Sequence, residues 1–128
     1  YAIPAVVFTD PEIAWAGLTE HEAGGDDTPY KLGKFPWGAS GRALTLGRPT
    51  GVTKLLVDPD TERILGAGMA GMNAGEIIGM CTVAIEMGAV AEDLGLTIQV
   101  HPTLCETVME AAESIYGNAT HFFRRKGK

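Results

Sequence analysis

The spacing at which apolar residues recur along the chain changes after residue 70, and this change constrains the fold more than any other feature. Residues 52–57 (VTKLLV) and 64–70 (ILGAGMA) have the composition of strands, and the segment between them, DPDTER, has the residues of a turn. Together they predict a β-hairpin. From about residue 73 the apolar residues recur at helical spacing instead. Because strands come first and helices last, the sequence predicts an α+β fold, with a mostly antiparallel sheet and helices packed on one face.

Three further strands are expected before the hairpin, at residues 4–9, 13–18 and 30–35. Thr19 and Glu22 have the spacing of a capping box and predict a very short helix after the second strand. The segment 36–51 contains two prolines and four glycines and is predicted to be a long loop. Most of the expected sheet therefore comes from the first half of the chain.

The second half of the chain is predicted to be helical. Asn73 is expected to cap a helix that runs to about residue 87. A second short helix is expected at residues 91–96, and a third opens at Thr103 and ends at the Gly-Asn pair at 117–118. We expect these helices to cover the sheet.

Charge is distributed unevenly along the chain. The formal net charge is −6, but the last eight residues hold four bases and no acid, so the preceding 120 residues carry six bases against 16 acids. An acidic body of this kind repels nucleic acid and attracts a basic protein segment. The basic tail is interpreted as a solvated terminus, because no nucleic-acid-binding motif accompanies it.

The location expected for the protein follows from what the sequence lacks. It has no apolar run of membrane-spanning length and no leader segment, so no membrane contact is expected. Cys81 and Cys105 are too few and too far apart for a disulfide framework or a zinc site, which favours free thiols in a reducing compartment such as the cytoplasm. The start at Tyr1, directly before an apolar run, predicts a piece of a longer protein.

Residues 66–71 (GAGMAG) match the G-x-G-x-x-G pattern of dinucleotide-binding loops. They follow the second arm of a hairpin rather than the first strand of a parallel unit. Glu76 would also repel a pyrophosphate from the start of the following helix. We therefore interpret these small residues as a means for the strand to pack closely against the helix that follows.

His101 and Glu106 form the most informative polar pair. His101 lies just before the third helix and Glu106 in its first turn, so the chain can fold back and bring the two side chains together. A carboxylate orients an imidazole, fixes its tautomer and stabilises the imidazolium, as general acid–base catalysis requires. Two ordinary explanations compete. Thr103 and Glu106 have capping-box spacing, and Glu106, Glu110 and Glu113 would line one solvated helix face.

Cys105 suggests a different chemistry, that of a Cys/His/Glu hydrolase, because it lies in the first turn of the same helix. Its side chain would project about 100° from that of Glu106 around the helix, so one imidazole could not easily face both. The favoured interpretation of Cys105 is a small buried thiol.

The segment around His101 resembles the active-site signature of a known family. That family is the pyridine nucleotide–disulfide oxidoreductases, and the resemblance is to their C-terminal interface (dimerisation) domain, most closely that of the dihydrolipoamide dehydrogenases. The similar segments are 5–14 (AVVFTDPEIA), 17–20 (GLTE), 73–78 (NAGEII), 84–88 (AIEMG), 91–94 (AEDL) and 101–104 (HPTL) with Glu106. The resemblance covers essentially all of residues 1–128, which are expected to form one dimerisation domain of a longer flavoprotein.

The resemblance implies a role for His101 and Glu106. His101 would reach across a two-fold dimer interface to the redox-active disulfide and flavin of the other subunit and deprotonate the dithiol substrate, while Glu106 holds and polarises it. The reaction would be the NAD-linked oxidation of dihydrolipoamide. The peptide bond between His101 and Pro102 is expected to be cis. FAD and NAD are expected in the full-length protein, which would be a homodimer. The subunit-binding segment of a 2-oxoacid dehydrogenase acyltransferase is a further expected partner.

The chain also departs from the pattern of the complete family members. It lacks their FAD-binding and NAD-binding regions and their redox cysteine pair, so this piece alone is expected to be inactive and to hold no cofactor and no metal. Cys105 stands where serine is most frequent in the lipoamide enzymes and is not taken as the redox cysteine. Two alternatives remain open, a structural module that docks a basic segment and another disulfide reductase of the same family.

Overall fold

The computed structural model describes residues 2–116 and contains a five-stranded sheet in which every pairing is antiparallel. The strands are β1 (Pro4–Val7), β2 (Ile13–Gly17), β3 (Lys31–Pro36), β4 (Val52–Val57) and β5 (Ile64–Ala70). They lie in the order β1-β2-β5-β4-β3. The predicted hairpin, β4 and β5, therefore forms the middle of the sheet.

Two long helices cover one face of this sheet. The helices are α1 (Glu20–Gly25), α2 (Gly41–Thr45), α3 (Ala74–Glu86), α4 (Ala91–Leu96) and α5 (Glu106–Ser114). The first of the long helices, α3, packs against β1, β2 and β5, while α5 packs against β3 and β4. Leu55 and Val57 on β4 are fully buried beneath them. The predicted α+β class is confirmed, and among residues 2–116 no helix is long and apolar enough to cross a membrane.

An acidic side chain closes the turn of the central hairpin. The Asp58 carboxylate accepts hydrogen bonds from the backbone N–H groups of Asp60 and Thr61, each at 2.8 Å. The bonds from Thr61 and Asp60 stabilise the charged form and lower the pKa of Asp58 below its ordinary value of 3.8. The turn chemistry predicted for this segment is thus present as an Asx-type contact.

The segment 36–51 is not the uninterrupted loop that its glycines and prolines predicted. A 3-10 turn at Trp37–Ala39 is followed by the short helix α2. Ser40 caps α2, since its hydroxyl accepts a hydrogen bond from the Ala43 N–H at 3.2 Å. Trp37 is fully buried and anchors the segment to the sheet. The composition of the segment does not predict α2, because the burial of one large apolar side chain orders a segment that is rich in turn-forming residues.

Asn73 precedes α3 as expected but does not cap it. Its backbone is left-handed, with φ at 64°, and its side chain forms no capping hydrogen bond. The Glu12 carboxylate accepts a hydrogen bond from the Gly75 N–H at 3.1 Å instead. A tertiary contact between residues 63 positions apart therefore replaces the local cap that the sequence predicted.

The helix α5 begins later than predicted. Residues 104–105 form a turn, and the helix starts at Glu106 rather than at Thr103. The Thr103 hydroxyl donates to the Val100 carbonyl oxygen at 2.7 Å, so it is not a helix cap. The predicted helix end at 117–118 and the basic tail lie outside the described residues.

The glycines of the G-x-G-x-x-G segment serve close packing. A side chain at Gly66 would collide with the backbone of Leu18, and one at Gly71 would collide with the ring of Trp37. The glycines do allow close packing, as interpreted from the sequence, but Gly66 and Gly71 pack against Leu18 and Trp37 rather than against α3. Because β5 pairs antiparallel with both neighbours, the segment lacks the parallel strand–helix context that a dinucleotide loop needs.

Candidate active site

The segment between α4 and α5 presents His101 to solvent. The Thr103 hydroxyl, bonded to the Val100 carbonyl oxygen, closes a turn around it, and the His101–Pro102 peptide bond is cis, as expected. The His101 side chain is 68% exposed. The ring therefore stands at the surface, outside the apolar interior, where a molecule from outside this chain can reach it.

The Glu106 carboxylate meets this ring from the first position of α5. Its two oxygens lie 2.9 and 3.0 Å from His101 Nδ1. One of them also accepts the Thr103 N–H at 2.8 Å. The Glu106 side chain is only 14% exposed, so solvent competes weakly for it. The predicted contact between His101 and Glu106 is present. Of the alternative capping box, only the bond from the Thr103 N–H to Glu106 forms, and that bond does not explain the contact with His101.

This contact fixes how the imidazole can act. A carboxylate only accepts hydrogen bonds, so the proton of a neutral ring bonded in this way sits on Nδ1. The Nε2 atom is then the basic nitrogen, and within the described residues it has no hydrogen-bond partner. Once Nε2 takes a proton, the adjacent carboxylate stabilises the imidazolium. The pair therefore has the geometry of a general acid–base catalyst.

The space beside His101 is too small to enclose a substrate. The crevice has a volume of about 10 Å³ and lies between Phe35 and Ser40 on one side and Thr107 and Glu110 on the other. A cavity of about 10–15 Å³ holds one water molecule at most. The rest of any substrate site must be supplied from outside residues 2–116.

The two cysteines are free and do not join this pair. Cys81 is fully buried in α3, and burial raises the pKa of its thiol to about 12, so it stays protonated at neutral pH. Cys105 is half-buried just before α5. His101 Nδ1 contacts Glu106 and not the Cys105 thiol, which leaves the hydrolase interpretation without the Cys–His contact it requires.

Sequence reasoning missed the buried polar groups that lie behind the pair. Thr53, Thr107 and Glu110 are each at most 1% exposed. The signal in the sequence is a polar residue at an inward position, because Thr53 lies on the same face of β4 as Leu55 and Val57. In one of the two ordinary explanations Glu106, Glu110 and Glu113 share one solvated face, but Glu110 is buried. Among residues 2–116, no group of three or more His, Cys, Asp or Glu side chains could hold a metal ion.

Comparison with known protein families decides the affiliation of the chain. Residues 3–112 match the family described as pyridine nucleotide-disulphide oxidoreductase, dimerisation domain. The chain belongs to this family. The expectation drawn from the segment around His101 is thereby confirmed.

Two curated relatives carry the name dihydrolipoyl dehydrogenase. The dihydrolipoyl dehydrogenase of Thermus scotoductus is 50% identical over 125 residues, which are 98% of this chain and 27% of the relative. That of Haemophilus influenzae is 48% identical over 126 residues, 98% of this chain and 26% of the relative. This dimerisation-domain chain thus spans about a quarter of the length of these relatives.

Two solved structures share the fold of this chain. LpdA from Mycobacterium tuberculosis superposes with a TM-score of 0.82 at 26% identity, covering 87% of this chain and 24% of that one. The Cu(II) complex of RclA, an HOCl-induced flavoprotein disulfide reductase from Escherichia coli, gives a TM-score of 0.82 at 27% identity, covering 87% and 25%. The dimerisation domain described here therefore occurs in both solved enzymes as a part of a longer chain.

Proposed function

We propose that this chain is the C-terminal dimerisation domain of a dihydrolipoamide dehydrogenase and that it supplies His101 and Glu106 to the active site of the partner subunit. The observation that carries the proposal is the contact of the Glu106 carboxylate with Nδ1 of an exposed imidazole, 2.9 Å long. The crevice that residues 2–116 form beside the ring is too small to enclose a substrate, which supports a site that a second chain completes.

The reaction step assigned to this chain is a proton transfer. A thiol of the dithiol substrate gives its proton to His101 Nε2, and the S–H bonding electrons remain on sulfur as a thiolate. The imidazolium that forms is stabilised by the Glu106 carboxylate. The thiolate is the nucleophile that attacks a disulfide, which lies outside this chain. In the reverse direction His101 returns the proton to the leaving sulfur.

The redox cofactors belong to other parts of the proposed enzyme. FAD and NAD are expected in the full-length protein, but the glycine-rich segment 66–71 does not fit a dinucleotide. Gly66 and Gly71 lie close against Leu18 and Trp37, and β5 pairs antiparallel with strands on both sides, so this segment is not the open strand-to-helix turn that holds a pyrophosphate. Electron transfer is therefore not assigned to these residues. The free thiols favour a reducing compartment, which we take to be the cytoplasm.

A homodimer is proposed because apolar side chains surround the candidate site. Ile98 is 93% exposed and Val100 is 76% exposed. They precede His101 along the chain, and we call residues 98–100 the apolar strip. Apolar groups clustered in this way favour burial against another protein surface. A second copy that covers the apolar strip would bring its own surface to His101.

The proposal is tested by replacing His101 with Gln in the complete enzyme. We expect turnover with dihydrolipoamide to fall by about 10²-fold or more, because a general base contributes on this order. His21→Gln, at an exposed position in α1, is the matched control and leaves turnover unchanged. Near-normal turnover of His101→Gln would refute the acid–base role. Turnover that survives only with a different disulfide substrate would favour another reductase of the family.

A second function, docking of a basic segment, is favoured by an acidic pocket. Glu92, Glu113, Leu96 and Tyr116 line a cavity of about 270 Å³ near α4 and α5. Its mix of carboxylates and apolar surface suits a lysine or arginine side chain, such as one from the subunit-binding segment of an acyltransferase. Binding of that segment should weaken as salt rises and on Glu92→Gln. Binding that is equal at low and high salt would contradict this function.

A further inference from the structure

Three fully buried polar side chains connect the sheet to the start of α5. Trp37, Thr53 and Thr107 are each 0% exposed. The Trp37 indole N–H donates to Thr53 Oγ1 at 2.9 Å, and the hydroxyl oxygens of Thr53 and Thr107 are 2.9 Å apart. Thr107 Oγ1 donates to the Leu104 carbonyl oxygen at 2.7 Å. We call this chain of hydrogen bonds the buried relay.

The direction of the buried relay is fixed by its two ends. An indole N–H only donates, and a backbone carbonyl oxygen only accepts. The single hydroxyl hydrogen of Thr107 goes to Leu104, so the hydrogen between the threonines must come from Thr53. Each hydroxyl then donates once and accepts once. A buried polar network in which every group is satisfied favours one arrangement over its alternatives.

The relay ends in the turn that carries the candidate site. Thr107 directly follows Glu106, and Leu104 directly follows Thr103, whose N–H bonds the Glu106 carboxylate at 2.8 Å. The relay therefore holds the backbone on both sides of Glu106. At the other end Trp37 is fixed in turn, because its ring lies where a side chain at Gly51 or Gly71 would be.

We propose that Thr107 and Thr53, with Trp37, are positioning residues that set the Glu106 carboxylate against His101 Nδ1. The effect on catalysis rests on the proposed acid–base role of His101. The effect on geometry does not, because it concerns only where the proton of the neutral imidazole resides. None of the hydrogen bonds of the relay reaches the His101 ring, so the relay acts through the first turn of α5.

The proposal is tested by Thr107→Val and Thr107→Ser. The imidazole nitrogens of His101 are observed by ¹⁵N NMR in the 128-residue chain at a pH where the ring is neutral. We expect the unchanged chain and Thr107→Ser to carry the ring proton on Nδ1. Thr107→Val removes the hydroxyl and should shift the ring toward the Nε2-protonated form. Thr82→Val, which removes a hydroxyl bonded to the Ile78 carbonyl oxygen in α3, is the matched control and should not shift it.

A second variant decides the matter if Thr107→Val does not fold. Thr53→Val breaks the relay one step earlier and leaves the bond from Thr107 to Leu104 in place, and it should shift the ring in the same direction. If the ring proton of His101 stays on Nδ1 in a folded Thr107→Val or Thr53→Val variant, the positioning role is overturned.

Activity in the complete enzyme separates the two proposals. Thr107→Val should lower turnover by about tenfold to 10²-fold, since displacement of a catalytic group by about 1 Å has effects of this size, and Thr107→Ser should restore it. If the ring shifts in Thr107→Val while His101→Gln keeps its turnover, the positioning stands and the proposed function fails. If His101→Gln loses turnover and the ring does not shift, the function stands and the positioning fails.

Discussion

At the scale of single residues, the Glu106 carboxylate organises the candidate site because it accepts hydrogen bonds from two directions. One comes from His101 Nδ1 at 2.9 Å and the other from the Thr103 N–H at 2.8 Å. The first orients the ring, and the second holds the turn that carries it. A carboxylate can accept both bonds because it has two oxygen atoms.

The replacement Glu106→Gln should therefore harm catalysis more than folding. The amide keeps one oxygen acceptor but loses the charge that stabilises the imidazolium, so we expect turnover of the complete enzyme to fall by about 10²-fold. Glu76→Gln, at the equivalent first turn of α3, is the control and should leave turnover unchanged. Steady-state kinetics with dihydrolipoamide measures both, and equal activity of the two variants would contradict the assignment.

The acid sensitivity of the fold should depend partly on Asp58. Its pKa in the folded chain lies below the ordinary value of 3.8 because the Thr61 and Asp60 N–H groups bond its carboxylate. The stabilisation is therefore complete above about pH 4 and is lost as the pH falls through the lower, folded-state pKa. Asp58→Asn should flatten the decline in stability over that acidic range. Urea unfolding between pH 5 and about pH 2 tests this, and an unchanged slope would contradict it.

The contact of His101 with Glu106 was predictable from the sequence, whereas the buried relay was not. His101 and Glu106 are five positions apart at one helix start, so local geometry suffices to bring them together. Thr53 and Thr107 are 54 positions apart, and only the packing of α5 on β4 makes them neighbours. A polar residue at an inward position indicates that its side chain has a hydrogen-bond partner, but the sequence does not show which residue that partner is.

At the scale of secondary-structure elements, the relay depends on how closely β5 approaches the 3-10 turn. Gly71 has φ at +155°, and a side chain there would meet the Trp37 ring. Gly71→Ala should destabilise the fold by about 1–3 kcal/mol through overpacking. Gly79→Ala is the control with the opposite sign: it lies inside α3 facing open space and should stabilise by about 0.5–1 kcal/mol. Urea unfolding of the 128-residue chain measures both, and a neutral Gly71→Ala would contradict this packing.

The element boundaries show where local sequence rules stop being sufficient. Strands and helices were predicted in the right order because alternation and helical spacing are local signals. The capping box of Thr19 and Glu22 at α1 was also predicted correctly. The cap of α3 was not, since Glu12 from a distant loop takes the place of Asn73. α2 was missed because the burial of Trp37 orders a segment whose composition is typical of a loop.

At the scale of the whole molecule, we propose that the chain supplies half of a site, with the apolar strip beside it. Burial of Ile98 and Val100 against a second copy is the proposed basis of the dimer. Ile98→Asp should weaken dimerisation of the complete enzyme and lower turnover at low protein concentration. Leu44→Asp, which introduces the same charge at an exposed apolar position of α2, is the control. Sedimentation velocity compares the two, and an unaffected dimer in Ile98→Asp would show that the apolar strip is not the interface.

We propose that His101 acts in the active site of the neighbouring subunit, and mixed dimers of the complete enzyme provide the test. One subunit carries His101→Gln, and the other lacks the redox-active disulfide that the proposal places outside this chain. Each variant alone has no complete site. If the site is shared between subunits, mixing restores oxidation of dihydrolipoamide, because one site of each hybrid has both an intact His101 and an intact disulfide. If His101 acts in its own subunit, neither site of the hybrid has both groups, and mixtures that form hybrids yet stay inactive would show that the site is not shared.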